Sequence, residues 1–299
     1  MLPGGLAVKL QPGRQIADSW TVAQALSALP ARRGQGRSSA RTGGVLDEPM
    51  VPLPDEGRVF RAGRRVRLAD ADPSGRLRLD ACARYLQDIG NDDTTDAGMD
   101  DADTTWVVRR AVVDVYRPPR WREWLDLSTW CGGLGGRWAE RRLSMVGEHR
   151  GRIELATLWV HVDTATLAPA RLTQQFHDIY GPSAGGRRVS SRLWLSDPPV
   201  GAAAEPWRLR AVDIDLLGHV NNAAYWAAVE EQIEPGTAFA HRLLAGPHRA
   251  VIEYGPGIAA GAKVELLLEE SDDHLSLWFT VGGAVLAAAT VVPMDDAGD

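Results

Sequence analysis

Two nine-residue windows of this chain read as versions of one another. Ala69-Asp70-Ala71-Asp72-Pro73-Ser74-Gly75-Arg76-Leu77 aligns with Val212-Asp213-Ile214-Asp215-Leu216-Leu217-Gly218-His219-Val220 at an offset of 143 residues. Asp72 falls on Asp215 and Gly75 on Gly218, while Arg76 stands where the second window has His219. The same order of patterns surrounds both windows: an extended run, the turn, a helix, then several extended runs. A helix buries one apolar stripe and a sheet one apolar face, so a unit of this order folds by wrapping its strands about its helix. Two such units in 299 residues predict a tandem α+β duplication, each half long enough for a core of its own.

Leu79, Cys82, Ala83, Leu86 and Ile89 recur at helical spacing and predict a helix over 79–90. Ala223, Trp226, Ala227 and Glu230 share one side of a second helix, over 222–233. Extended runs are predicted over 106–116, 124–131, 137–146 and 153–162, then over 207–212, 249–254, 263–269, 275–282 and 285–292. Pro118-Pro119, Gly132-Gly133 and Gly135-Gly136 separate them, and such short gaps imply antiparallel hairpins. The first unit is assigned to 56–180 and the second to 207–295. The connection 181–206 is weakly patterned apart from an apolar run at Leu193–Leu195. Residues 1–55 are rich in Gly, Pro, Ser and Arg without sustained periodicity. They read as a disordered tail, a transit peptide or an extension upstream of a start at Met50, and are set aside from the fold.

Composition narrows function mainly by exclusion. A net charge of −6 argues against a dedicated nucleic-acid binder, and no apolar run approaches the length of a membrane span. Cys82 and Cys131 are the only cysteines, too few for a disulfide framework or a metal cluster, which fits a reducing cytoplasm. His161, His177, His241, His248 and His274 are scattered without metal-ligand spacing, so no metal and no cofactor are expected.

The second window continues as Asp215-x-x-Gly218-His219-Val220-Asn221-Asn222-x-x-Tyr225. An acid just ahead of a helix start lies beside amides that lack intrahelical acceptors. A general base next to such a donor-rich, positive end is what acyl transfer to water needs. A charged turn with an Asn cap is the competing reading of the same residues.

A helix wrapped by an antiparallel sheet and entered through this motif resembles the hot dog fold of acyl thioesterases. Two copies in one chain narrow the resemblance to the acyl-acyl-carrier-protein (acyl-ACP) thioesterases, the double hot dog family of plants and bacteria, here of bacterial type and related to the 4-hydroxybenzoyl-CoA-type thioesterases. The first half contributes Leu86-Gln87-Asp88 with Asn91, the run Trp106-Val107-Val108-Arg109-Arg110, and Thr129-Trp130-Cys131 before a Gly-rich turn. Trp159-Val160-His161-Val162-Asp163-x-x-Thr166 with Pro169 resembles the closing strand. The resemblance covers about residues 58–295.

The resemblance implies a tandem hot dog with Asp215 and His219 as catalytic residues. Asp215 would act as general base on water or attack directly, and His219 would orient Asp215 or the water. Backbone amides from Gly218 through Val220 to Asn221 would polarise the thioester carbonyl. Asn221 or Asn222 would cap the helix or hold the pantetheine arm. The first half, with a decayed site at Asp72, would shape the acyl pocket, with Trp106 and Trp130 as candidate lining. The substrate implied is a fatty-acyl thioester of acyl carrier protein or CoA, hydrolysed by a monomer or weak homodimer. This chain departs from the plant pattern at Leu217, where those enzymes carry Asn. It departs again after Glu253-Tyr254, where Gly255-Pro256-Gly257-Ile258 holds no Glu-Cys pair. A Cys nucleophile is thereby excluded, and the site is closer to the D-x-x-G arrangement of single hot dog acyl-CoA thioesterases. These losses favour one rival, a hot dog module that binds acyl thioesters without turnover. An enoyl-thioester hydratase is the other, and its motif is absent.

Overall fold

The computed structural model of the chain describes residues 46, 48–101, 103–166, 168–233 and 237–295. The first half runs β1 (Val59–Arg65), α1 (Leu79–Asp96), β2 (Thr104–Arg117), β3 (Trp124–Leu134), β4 (Trp138–Gly147), β5 (Arg152–Asp163) and α2 (Gln174–Ala184). The second runs β6 (Ala204–Trp207), α3 (Asn222–Glu231), α4 (Ala238–Ala245), β7 (His248–Tyr254), β8 (Val264–Glu270), β9 (Leu275–Val281) and β10 (Ala284–Pro293). The strands form one sheet in the order β1-β3-β4-β5-β2-β7-β10-β9-β8-β6, so each half repeats the other in reverse across the β2–β7 seam. At the seam Arg110 lies opposite Glu253, its own counterpart at the 143-residue offset, and a pseudo-twofold axis passes between them. The fold is the predicted α+β tandem hot dog.

The stripe predicted for α1 is buried as its spacing dictates, whereas of the side predicted for α3 only Ala223 and Trp226 are buried, Ala227 and Glu230 being partly exposed. In α1, Leu79, Cys82, Ala83, Leu86 and Ile89 are buried; in α3, Ala223, Tyr225, Trp226, Ala228 and Val229 are. The two helices pack on each other inside the curve of the sheet and share one core with Leu125, Leu143, Ile252 and Leu277.

Three local expectations are corrected. The strand predicted over 207–212 is Ala204–Trp207, followed by a single 3-10 turn at Ala211–Asp213. The Asp213 carboxylate accepts the Arg210 N–H at 2.7 Å and pairs with the guanidinium, which coils the chain before the motif. Helices α2 and α4 form where none was predicted. The Thr173 hydroxyl accepts the Phe176 N–H and Gly185 closes α2 in the left-handed region, while Thr237 caps α4 through the Ala240 N–H. Finally, the extension set aside as 1–55 enters the fold at its end, its residues 1–45 lying outside the described residues. Leu46, Met50 and the linker residue Leu195 pack on Val112, Ala156 and Val251. Arg249 holds Asp114 with two 2.6 Å bonds and donates to the Leu46 and Glu48 carbonyls. The linker is docked beside them, Trp194 and Leu195 donating their N–H groups to the buried Glu253 carboxylate. Among the described residues, no helix is long and apolar enough to cross a membrane.

Candidate active site

The two repeated windows fold as the same turn, hydrogen bond for hydrogen bond. Asp72 N–H donates to the Arg76 carbonyl and Asp215 N–H to that of His219, at 2.8 and 2.9 Å. Gly75 N–H returns to the Asp72 carbonyl and Gly218 N–H to that of Asp215, at 2.9 and 3.0 Å. Gly75 (φ 84°) and Gly218 (φ 77°) occupy the left-handed region that a side chain resists, which explains the glycine in both windows. The Arg76 and His219 amides then donate to the carboxylate Oδ1 of Asp72 and Asp215.

The side chains differ. In the first turn Arg76, 5% exposed, returns its Nε to Asp72 at 3.1 Å and sends Nη2 to Glu230 of α3 at 2.7 Å. The other oxygen of Glu230 accepts the N–H of Leu79, the first residue of α1, at 2.7 Å. Burial works against the charged form of Asp72, but Ser74 and Arg76 hold its carboxyl below the ordinary carboxylate value. This turn is thus closed by a buried ion-pair cluster, with a carboxylate seated on the helix N-terminus.

In the second turn Oδ1 of Asp215 accepts the Leu217 and His219 amides at 2.8 and 3.4 Å. Asp215 is half-buried and opens on a cavity of about 470 Å³. Leu216, Leu217, Asn221 and Asn222 share that wall, and the first half supplies the rest. Trp106 and Trp130 line it as expected. From α2 come Phe176 and Tyr180, which the sequence reading missed because it predicted no helix there. Trp106, Phe176 and Tyr180 stack in series, with centroids 5.3 and 4.8 Å apart. Arg141, also on the wall, is paired with the buried Asp93 at 2.6 Å. Burial pushes the Cys131 thiol up to about 11, which leaves it inert as a nucleophile. Among the described residues no His, Cys, Asp or Glu cluster could hold a metal.

The structure brings together Asp215, Asn221 and Asn222 but not the other predicted site residues. Val220 is buried in the core, Gly218 sits at the exposed turn, and the His219 ring lies against Gly257 rather than on the cavity wall. The expected amide donors are also already engaged. Gly218 donates to Asp215, Val220 to Ile258 at 2.8 Å and Asn221 to Asp213 at 2.8 Å. The Asn221 side chain, not that of Asn222, is the cap, accepting the Ala223 N–H at 2.9 Å. Among the described residues, nothing accepts the Asn222 N–H. It is the counterpart of the Leu79 N–H that Glu230 occupies in the first half.

Two family models match the chain: the acyl-ACP thioesterase N-terminal domain over residues 57–180 and the C-terminal domain over 200–282. An uncharacterized protein of Mycobacterium tuberculosis is 36% identical over 247 residues, which span 82% of this chain and 96% of that protein. The chloroplastic oleoyl-acyl carrier protein thioesterase of Coriandrum sativum is 24% identical over 253 residues, 74% of this chain and 66% of that protein. Among solved structures, the 12:0-ACP thioesterase of Umbellularia californica superposes with a TM-score of 0.64 at 19% identity, covering 80% of this chain and 99% of that one. An acyl-ACP thioesterase of Bacteroides thetaiotaomicron gives 0.61 at 18% identity, covering 78% and 97%.

Proposed function

The chain belongs to the acyl-ACP thioesterase family, and from that premise we propose that it hydrolyses fatty-acyl thioesters at Asp215. One observation carries the reading: Asp215 and Asn222, whose N–H has no acceptor among the described residues, line one cavity together with the rings of Trp106, Trp130, Phe176 and Tyr180. The acyl chain lies in the cavity with its carbonyl oxygen at the Asn222 N–H, the start of α3, where the helix dipole and the amide favour developing negative charge. Water attacks the carbonyl carbon and gives its proton to Asp215. The tetrahedral intermediate then expels the thiolate, which takes that proton back from Asp215. His219 supports this arrangement through its backbone N–H to Asp215 and through its ring against Gly257.

Family membership favours acyl-ACP as the carrier form; acyl-CoA presents the same pantetheine arm. Free-thiol release from matched series of acyl-ACP and acyl-CoA thioesters tests the proposal and separates the carriers. Turnover of at least one series is expected. Tight binding without release of thiol from any of them would replace hydrolysis with a binding role.

A further inference from the structure

The pseudo-twofold axis relates the surroundings of the Asn222 amide to those of the Leu79 amide. Asp72, Gly75 and Leu79 map onto Asp215, Gly218 and Asn222 at the 143-residue offset, and Leu79 and Asn222 are each the first residue of their helix. The Arg67–Asp70 contact that coils the chain before the first turn recurs as Arg210–Asp213 at the same offset. The seam pairing of Arg110 with Glu253 obeys it too. Glu230 of α3 crosses to the N-terminus of α1, placing Oε1 2.7 Å from the Leu79 N–H. The same operation takes Glu230 to Gln87 of α1, and the Leu79 N–H to the Asn222 N–H. Gln87 is half-buried and lines the cavity together with Asp215, Asn221 and Asn222.

The chemistry of the exchange has a direction. At the first turn a carboxylate sits on the helix N-terminus and pairs with Arg76, so that end is filled by an anion of the protein's own. At the second turn the counterpart is neutral and Arg76 is replaced by His219. A carboxylate at position 87 would occupy the donor that a thioester carbonyl needs, and would place a second negative charge near Asp215. A carboxamide is uncharged and can turn N–H groups of its own toward the cavity, and here it does not accept the Asn222 N–H, so that donor stays open.

We infer that Gln87, reaching across from the first half, is a carbonyl-positioning residue of the Asp215 site, its side-chain amide donating with the Asn222 N–H to the thioester carbonyl. This rests on the proposed hydrolysis, and the two are tested apart. Gln87→Ala and Gln87→Glu are compared with the full wild-type chain in thiol release. Binding of an S-(2-oxoalkyl)pantetheine series, whose ketone mimics the carbonyl but cannot be hydrolysed, is measured in parallel. Gln87→Ala should lower kcat roughly tenfold or more, as loss of a carbonyl donor does, with a smaller change in KM. Gln87→Glu should fall further at neutral pH, bind the ketone more weakly than Gln87→Ala, and recover relative to it as pH falls and the new carboxyl protonates. Asp88, Asp101, Glu140, Arg141, His161 and Asp215 also face the cavity, but both variants carry them, so a difference in pH profile belongs to position 87. Wild-type kcat in both variants, or identical profiles and ketone affinities for Ala and Glu, would overturn the role of Gln87 and leave the hydrolysis standing. Ketone binding without wild-type turnover would sink the hydrolysis while the Ala–Glu difference in affinity still judges Gln87. A wild-type chain that neither binds nor turns over removes both.

Discussion

Arg76 and His219 occupy the same place in turns whose backbone bonds match, and they leave the neighbouring carboxylates in different states. Asp72 is bound by Ser74 and by both the amide and the guanidinium of Arg76; Asp215 is held through Oδ1 by backbone alone and faces a cavity. Asp215→Asn keeps the shape but cannot accept a proton, so turnover should fall by roughly 10²-fold or more. Asp72→Asn should leave it within about twofold, since that carboxylate is tied into an ion-pair cluster. Comparable losses in kcat from the two would show that both turns work. The Asn222 donor can be removed with equal economy. Asn222 is the first residue of α3, where proline is well tolerated, and Asn221 before it is extended (φ −61°, ψ 142°), as a residue preceding proline must be. Asn222→Pro should therefore fold normally and lose roughly 10²–10³-fold in kcat; unchanged turnover would move the oxyanion site elsewhere.

Between elements, the notable contact is that the start of α1 is served from the other half. Arg78, at the cap position of α1, makes no side-chain cap, and Glu230 supplies the acceptor instead while neutralising the buried Arg76. Glu230→Ala would leave Arg76 buried with only Asp72 and strip Leu79 of its acceptor. It should cost about 3 kcal/mol in urea unfolding with little change in kcat; a cost near zero would mean the cluster relaxes to solvent. Such cross-half contacts mark the limit of what the sequence discloses. Helical spacing located α1 and α3, period-two alternation located most strands, and the motif from Asp215 to Tyr225 located the acid, because these patterns are local. The Glu230–Leu79 bond and the aromatic wall from α2 depend on where distant segments meet. The start of α2 did carry a sign in Thr173, but Gly181-Pro182 within the helix masked it. The engaged amides of Gly218 to Asn221 were equally hidden, since one of their acceptors, Ile258, lies in a loop beyond α4 and β7.

At the scale of the whole molecule, the halves are held together by the β2–β7 seam, and its buried polar groups make stability depend on pH and on the chain before β1. His248, opposite Val115 at the seam, is 2% exposed, and burial lowers its pKa from 6.5 to about 4, with Arg76 adding to the effect. The unfolded chain therefore binds a proton that the folded chain refuses between about pH 6.5 and 4. This contribution is fully present above that range and lost as pH falls through it. About 3 kcal/mol should disappear across the window, and His248→Gln should flatten the slope there; an unchanged slope would assign the acid sensitivity to other groups. Arg249 stands next along β7, clamped between Asp114 and the carbonyls of Leu46 and Glu48. Starting the chain at Met50 removes both carbonyl acceptors and the Leu46 contact with Val112 and Val251, although Met50 and Leu195 remain. A chain beginning at Met50 should be less stable than the full chain in urea unfolding by roughly 2 kcal/mol, the cost of removing two acceptors from a buried guanidinium. Its thiol release should stay near the full-chain value at 25 °C, because that strap crosses the face of the sheet opposite the helices and the Asp215 cavity. Equal stability of the Met50 chain would mean that water replaces the two carbonyls at no loss.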